Sequence, residues 1–127
     1  MNIDNPRHEY PSTGLGKADL LDDPLQQFDL WFKRAVDAQI MEVNAMNLAT
    51  AGKNAQPTIR TVLLKSYDER GFVFYTNYGS RKAHDIEENP QVCLQFLWIP
   101  LKRQIRIDGI AQKISTKEST EIGRAHV

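Results

Sequence analysis

The chain has 127 residues, and its 16 basic and 16 acidic side chains give a formal net charge of zero. Hydrophobic residues make up 41% and charged residues 25%, which excludes disordered, collagen-like and coiled-coil chains and suits one domain with its own core. Without a positive excess, a general binder of nucleic acid or of membrane surfaces is disfavoured, while a small local basic pocket stays open.

Residues 1–18 carry Pro6, Pro11, Gly14 and Gly16 among polar side chains and read as an irregular arm. Asp23 then caps a helix, with Pro24 at the first helical position and Gln26 in capping-box spacing. Leu25, Phe28, Phe32, Ala35 and Gln39/Ile40 form one apolar stripe, and the helix is expected to run to about Asn44. From there the period becomes two. Strands are predicted over Ala45–Ala51, Thr58–Tyr67 and Phe72–Asn77, the last two joined as a hairpin through Asp68–Gly71. Ser80 caps a short helix that Asn89-Pro90 stops. Val92, Leu94, Phe96 and Trp98 share one face of strand Gln91–Trp98, Pro100 interrupts, and Arg103–Ile114 is a further strand. In that strand the apolar parity shifts after Gly109, which predicts a bulge there. A helix, about five hairpin-connected strands and one inserted short helix predict a small antiparallel barrel.

Cys93 is the single cysteine, so no internal disulfide can form, and His8, His84 and His126 show no zinc spacing with it. No metal is expected. A cytoplasmic location follows by default from the cysteine usage. Met1–Tyr10 lacks the apolar region of a secretory signal, and no apolar run approaches the ~20 residues of a membrane span. Cys93 itself reads as a packed small hydrophobe, His84 as a helix-surface residue, and Trp31 and Trp98 as core or interface residues.

The chemistry concentrates where a strand ends, Gly79 turns the chain and Ser80 starts a helix with Arg81 and Lys82 in its first turn. Cations are disfavoured there by ~0.3–1 kcal/mol each, because the helix dipole is positive at that end. An anion would reverse the sign: free backbone N–H groups, the Ser80 hydroxyl, a guanidinium and an ammonium would converge on a phosphate. A solvated basic helix start explains the same residues. In the preceding strand Ile59, Thr61, Leu63 and Lys65 share one face and Arg60, Val62 and Leu64 the other. Each face holds one cation, which either snorkels at a strand end or offers an anion contact. Gln104, on the polar face of the last strand with Arg106 and Asp108, can donate and accept at the edge of a heterocycle.

Several segments in register, Arg60 to Lys65 (RTVLLK), Phe74 to His84 (FYTNYGSRKAH), Glu88-Asn89-Pro90 and Arg103-Gln104, with Glu9-Tyr10 and Asp22 to Leu25 (DDPL) upstream, closely resemble the pyridoxamine 5'-phosphate oxidase family. The likeness spans roughly Arg7 to Glu118. It implies a mainly β fold with flanking helices, the FMN-binding split β-barrel, working as a cytoplasmic homodimer with two flavin sites between subunits. It implies an oxidoreductase acting on CH–NH2 donors. Pyridoxine or pyridoxamine 5'-phosphate would be oxidised to pyridoxal 5'-phosphate, a step of vitamin B6 salvage, with molecular oxygen reoxidising the flavin to give hydrogen peroxide. By the same likeness FMN would be held by Arg60, Thr61, Val62, Leu63, Leu64, Lys65, Tyr75, Thr76, Arg81, Lys82 and Gln104. Lys65 would also meet the substrate phosphate, and the arm at Arg7, His8, Glu9 and Tyr10 would cover the substrate. No nucleic acid or membrane partner is implied.

The family continues past Glu118 with further strands, a Tyr, Arg and Ser substrate-phosphate cluster and a late Arg/His motif, none of which occurs in these residues. The expected division is therefore an arm over 1–18, the N-terminal part of one incomplete split-barrel domain over 19–121, and a non-native tail over 122–127. Ile122–Val127 is also what ATC GGA AGA GCA CAC GTC encodes, a sequencing-adapter sequence read in frame. These residues alone are expected to lack oxidase activity. Two other readings are a flavin reductase or flavin- or deazaflavin-binding relative of the same barrel fold, and a non-catalytic small-barrel binding module. The latter would need a basic groove with exposed aromatics.

Overall fold

The computed structural model describes residues 19–76 and 79–114. The expectations for the arm over 1–18, for Asn77 and for the tail over 122–127 lie outside them.

Asp23 is the N-cap of helix α1 (Pro24–Asp37), its carboxylate accepting from the Leu25 N–H at 2.9 Å, with Pro24 in the first turn. The helix stops seven residues short of Asn44. Gln39 takes a left-handed φ of 57°, its N–H donates to the Val36 carbonyl, and the Ile40 N–H reaches back to Ala35. That is a Schellman-type stop, made here by glutamine in place of the usual glycine. Ile40 turns inward and packs on the core.

The strands are β1 (Ala45–Ala51), β2 (Pro57–Asp68), β3 (Gly71–Phe74), β4 (Gln91–Trp98) and β5 (Arg103–Ile110), with helix α2 (Arg81–Glu88) between β3 and β4. They form one antiparallel sheet in the order β3-β2-β1-β4-β5, so β1, first in the chain, lies at the centre. Strand β3 ends at Phe74, before the expected Asn77, and pairs only with Leu64–Asp68 of β2. The β2 stretch over 57–63 therefore has β1 on one side and, among the described residues, no strand on the other.

One face of the sheet carries the core. Met46, Leu48, Val62, Leu64, Leu94, Phe96 and Trp98 are all buried, as the alternation predicts. Helix α1 lies across this face, and Phe28 joins the two halves of the sheet. Its ring meets Tyr67 and Phe72 edge-on, at 5.0 and 4.9 Å between centroids, and Phe96 at 5.1 Å. Trp98 is a core residue whose indole N–H donates to the Val43 carbonyl at 3.2 Å. Trp31 is half-buried beneath the Arg103 guanidinium, 4.8 Å from the ring centroid.

The bulge expected at Gly109 is absent. Strands β4 and β5 stay in unbroken register from Gln91↔Ile110 to Trp98↔Arg103, and β5 ends at Ile110. The apolar parity changes because Ile110 is 51% exposed on the outer face while Ala111 takes the next inward position. The register shift lies instead in β2, between Leu64 and Ser66. Cys93 is only half-buried and sits on the outer face, across from Asp108. No helix among the described residues is long and apolar enough to cross a membrane.

Candidate functional site

Along β2 the side chains of 58, 60, 62 and 64 turn to the inner face and those of 59, 61, 63 and 65 to the outer. Arg60 thus lies on the core side, where a bare guanidinium would be strongly disfavoured. It donates to the Leu48 carbonyl at 3.1 Å, to Thr50 Oγ1 at 2.8 Å and to Thr58 Oγ1 at 2.5 Å. Strand register sets the two threonines opposite one another, Thr50↔Thr58. Both hydroxyls donate to Asp85 Oδ2 at 3.0 Å, and Arg81 Nε donates to Asp85 Oδ1 at 3.1 Å.

Proton inventory fixes the direction of every bond. A guanidinium has no acceptor and a carboxylate no donor. Each threonine must therefore accept from Arg60 and give its only proton to Asp85, so the 3.1 Å approach of the two hydroxyls is a contact without a proton. Two guanidiniums thereby converge on one carboxylate, directly from Arg81 and through two hydroxyls from Arg60. Asp85 is 3% exposed. Burial, the largest single effect, raises its pKa, yet the bonds from Thr50, Thr58 and Arg81 outweigh it and hold the carboxyl below its ordinary value. Burial lowers that of Arg60, with Asp85 opposing and Arg81 reinforcing; the group stays charged.

Ser80 caps α2, accepting from the Ala83 N–H at 3.3 Å, and Thr76 Oγ1 lies 3.5 Å from its hydroxyl. Arg81 follows in the first turn. The cation placed at the unfavourable helix end already has an anion within the chain, Asp85 one turn on, an answer that neither the ligand reading nor the solvated-helix reading of the sequence contained. The Arg81 side chain is still 59% exposed. Lys82 is half-buried beside it.

The remaining candidates separate from this cluster. Val62 and Leu64 are core side chains. Lys65 is exposed on the opposite face from Arg60, so the two cations do not share one cavity; its ammonium lies 5.4 Å from the centroid of the exposed Tyr75 ring. Across the outer face runs a polar ladder: Thr61 Oγ1 donates to Asn47 Oδ1 (3.0 Å), Asn47 Nδ2 to Gln95 Oε1 (3.2 Å), and Gln95 Nε2 to Gln104 Oε1 (2.8 Å). Thr61 and Gln104 are brought together in this way, while Leu63 is 55% exposed beside them. Arg7, His8, Glu9 and Tyr10 lie outside the described residues. Two hollows of about 500 and 610 Å³ lie under the start of α1 and at the ends of β1 and β5; Thr50 of the cluster lines the second, and none of the sequence-predicted candidates lines either.

Sequence reasoning missed Asp85, Thr50, Thr58, Asn47 and Gln95. The Arg81–Asp85 spacing of four was readable as a helix pair. The threonines and the ladder needed the strand register.

The family model described as Pyridoxamine 5'-phosphate oxidase matches residues 32–126. A pyridoxine/pyridoxamine 5'-phosphate oxidase of Crocosphaera subtropica is 56% identical over 119 residues, covering 94% of this chain and 56% of the relative. One of Aliarcobacter butzleri is 51% identical with the same coverage. The chain thus spans about half the length of the curated relatives it matches. Among solved structures, PhzG from Burkholderia lata in complex with tetrahydrophenazine-1-carboxylic acid superposes with a TM-score of 0.78 at 28% identity, covering 82% of this chain and 52% of that one. A pyridoxamine 5'-phosphate oxidase-related, FMN-binding protein of Nostoc punctiforme does so at 0.63 with 21% identity, covering 80% of this chain and 53% of that one, a likeness of fold. The open five-stranded sheet with two helices is the split-barrel architecture of these neighbours, and the chain belongs to the pyridoxamine 5'-phosphate oxidase family.

Proposed function

We propose that this chain supplies the flavin-binding part of an FMN-dependent oxidase that converts pyridoxine 5'-phosphate or pyridoxamine 5'-phosphate to pyridoxal 5'-phosphate, with oxygen as the final acceptor. The observation that carries this reading is the convergence of Arg60 and Arg81 on the single buried carboxylate of Asp85 at the start of α2. A carboxylate shared by two guanidiniums leaves positive charge unanswered, and the exposed edge of Arg81 offers it to a phosphate. The residues fit FMN in a second respect. The Thr61–Asn47–Gln95–Gln104 ladder supplies donors and acceptors suited to a heterocycle edge, and the open β2 edge over 57–63 offers backbone groups beside it.

In this reading Arg81, Lys82 and the Ser80 helix start hold the cofactor phosphate, and Arg60 keeps the adjoining strand charged and rigid. Within residues 60–64, Thr61 and Leu63 offer their backbone to the flavin, since the alternate residues turn theirs to β1, as Leu64 N–H does to the Asn44 carbonyl. Lys65, steadied over Tyr75, meets the substrate phosphate on the outer face. FMN, when bound, supplies the redox chemistry; the chain's residues bind and orient. The enzyme works in the cytoplasm as a homodimer. The exposed apolar side chains of Ile59, Leu63, Leu97 and Ile110 support that assembly, since they share the outer face with the ladder. The division into an arm over 1–18, a barrel part over 19–121 and a foreign tail is part of the same proposal.

Titrating FMN with the full chain tests it. Saturable quenching of flavin fluorescence is expected, with peroxide released on adding pyridoxine 5'-phosphate wherever the substrate residues of the longer relatives are present. Failure to quench FMN would overturn the flavin reading. Quenching with turnover of a different electron donor, and none of the vitamin B6 phosphates, would place the chain with the flavin reductases.

A further inference from the structure

We propose that Asp85 is a positioning residue for the phosphate of the cofactor, holding Arg81 and Arg60 at once in their anion-binding arrangement; the inference rests on the flavin reading above. Asp85 occupies only Nε of Arg81, at 3.1 Å. Among the described residues the Nη edge, with four of the five guanidinium protons, makes no hydrogen bond, and its planar fork suits phosphate oxygens. Without the carboxylate, a long side chain that is 59% exposed would sample many rotamers, and ordering it would be charged to ligand binding. Arg60 is held by the same carboxylate through Thr50 and Thr58, whose hydroxyls have no alternative proton direction.

Asp85 can act as a fixed point because it cannot swing. It is 3% exposed, three donors hold it, and Gly52 backs it so closely that a β-carbon there would stand 2.8 Å from Oδ1. A buried carboxylate near a phosphate site would ordinarily repel the ligand. Here Arg60, Arg81 and the neighbouring Lys82 outnumber Asp85 and the Glu88 carboxylate that also faces Gly52, so the positioning effect outweighs the repulsion.

Asp85→Asn is nearly isosteric and separates these effects. Affinities for FMN and for riboflavin, which lacks the phosphate, are measured by flavin fluorescence on the full chain, wild type and variant. The variant is expected to bind FMN about tenfold more weakly, the scale of one charge-assisted hydrogen bond, and riboflavin within about twofold of wild type. Equal losses for both flavins would show a merely structural role, and unchanged or tighter FMN binding would show that Asp85 only repels; either overturns the inference. Thr58→Val removes one bridge between Arg60 and Asp85 without altering charge, and keeps the test open should Asp85→Asn not fold. It is expected to weaken FMN about threefold and to spare riboflavin; equal effects on both would again refute the idea. Wild-type chain that binds neither flavin would instead refute the flavin reading, and this inference with it.

Discussion

Replacing Gly52 by alanine reverses the usual sign of that substitution. Gly52 follows β1 and is buried, and its φ is not positive, so alanine is conformationally allowed. In open space the change would stabilise the chain by ~0.4–1 kcal/mol through the unfolded state. Here the new β-carbon would meet Asp85 Oδ1 at 2.8 Å and Glu88 Oε2 at 2.9 Å. Glu88 ends a flexible side chain, but its Oε2 accepts from the Lys53 N–H at 2.8 Å, so moving it forfeits a bond with a net worth of ~1 kcal/mol. Asp85 has no slack, and α2 must shift with it. Overpacking of this kind disfavours the fold by ~1–3 kcal/mol, leaving a net destabilisation of about 1–2 kcal/mol. At ~4 °C per kcal/mol for a domain of this size, Gly52→Ala should melt about 4–8 °C below wild type in a thermal scan. It should also weaken FMN more than riboflavin, since the strain falls on Asp85. An unchanged or raised melting temperature would refute the argument that the backbone at Gly52, just after β1, is pressed against the Asp85 carboxylate.

Two further outcomes follow from the packing and the ionisable groups. Phe28→Ala removes the ring that ties the β2–β3 half of the sheet to β4, and should destabilise by ~3–5 kcal/mol in urea titration; a loss below ~1 kcal/mol would mean that α1 does not hold the inner face. Burial first, and then its 2.6 Å bond to Asp29, raise the Tyr67 hydroxyl above its ordinary value. A raised tyrosine lends stability that is complete below the unfolded value near pH 10 and is lost as the pH climbs past it. Wild-type stability should therefore fall more steeply above about pH 10 than that of Tyr67→Phe, and parallel pH profiles would contradict this.

How much of the fold was legible depended on which signals are local. The bounds of β1 and β4 agree with the alternation because each strand buries one face completely, so every second residue carries the period. The end of α1 was not legible, since its left-handed stop falls on Gln39, a residue with no turn signature of its own. Gly109 misled in the opposite way. A glycine and a parity change suggest a bulge, yet the pairing runs straight through, and the outward Ile110 answers to the outer face rather than to the core. The actual shift at Leu64/Ser66 carries neither glycine nor proline; it arises from fitting β3 to β2, which is a tertiary matter.

For the site, the cations were legible and their anion was not. Arg60, Arg81 and Lys82 stand out because each sits where a charge is locally disfavoured, whereas Asp85 looks like one more acid on a short helix until the strand register sets Thr50 opposite Thr58 beneath it. The same register decides what Lys65 can do. Lys65 is the unpaired residue of the β2 irregularity between Leu64 and Ser66, and it is exposed over Tyr75, whereas Arg60 bonds into the inner cluster. One small ligand touching both would pass round the β2 stretch before Leu64, which no strand among the described residues covers. Two phosphorylated ligands, one at the helix start and one on the outer face, need no such path, and that economy is the physical reason for assigning the cofactor to Arg81 and the substrate to Lys65.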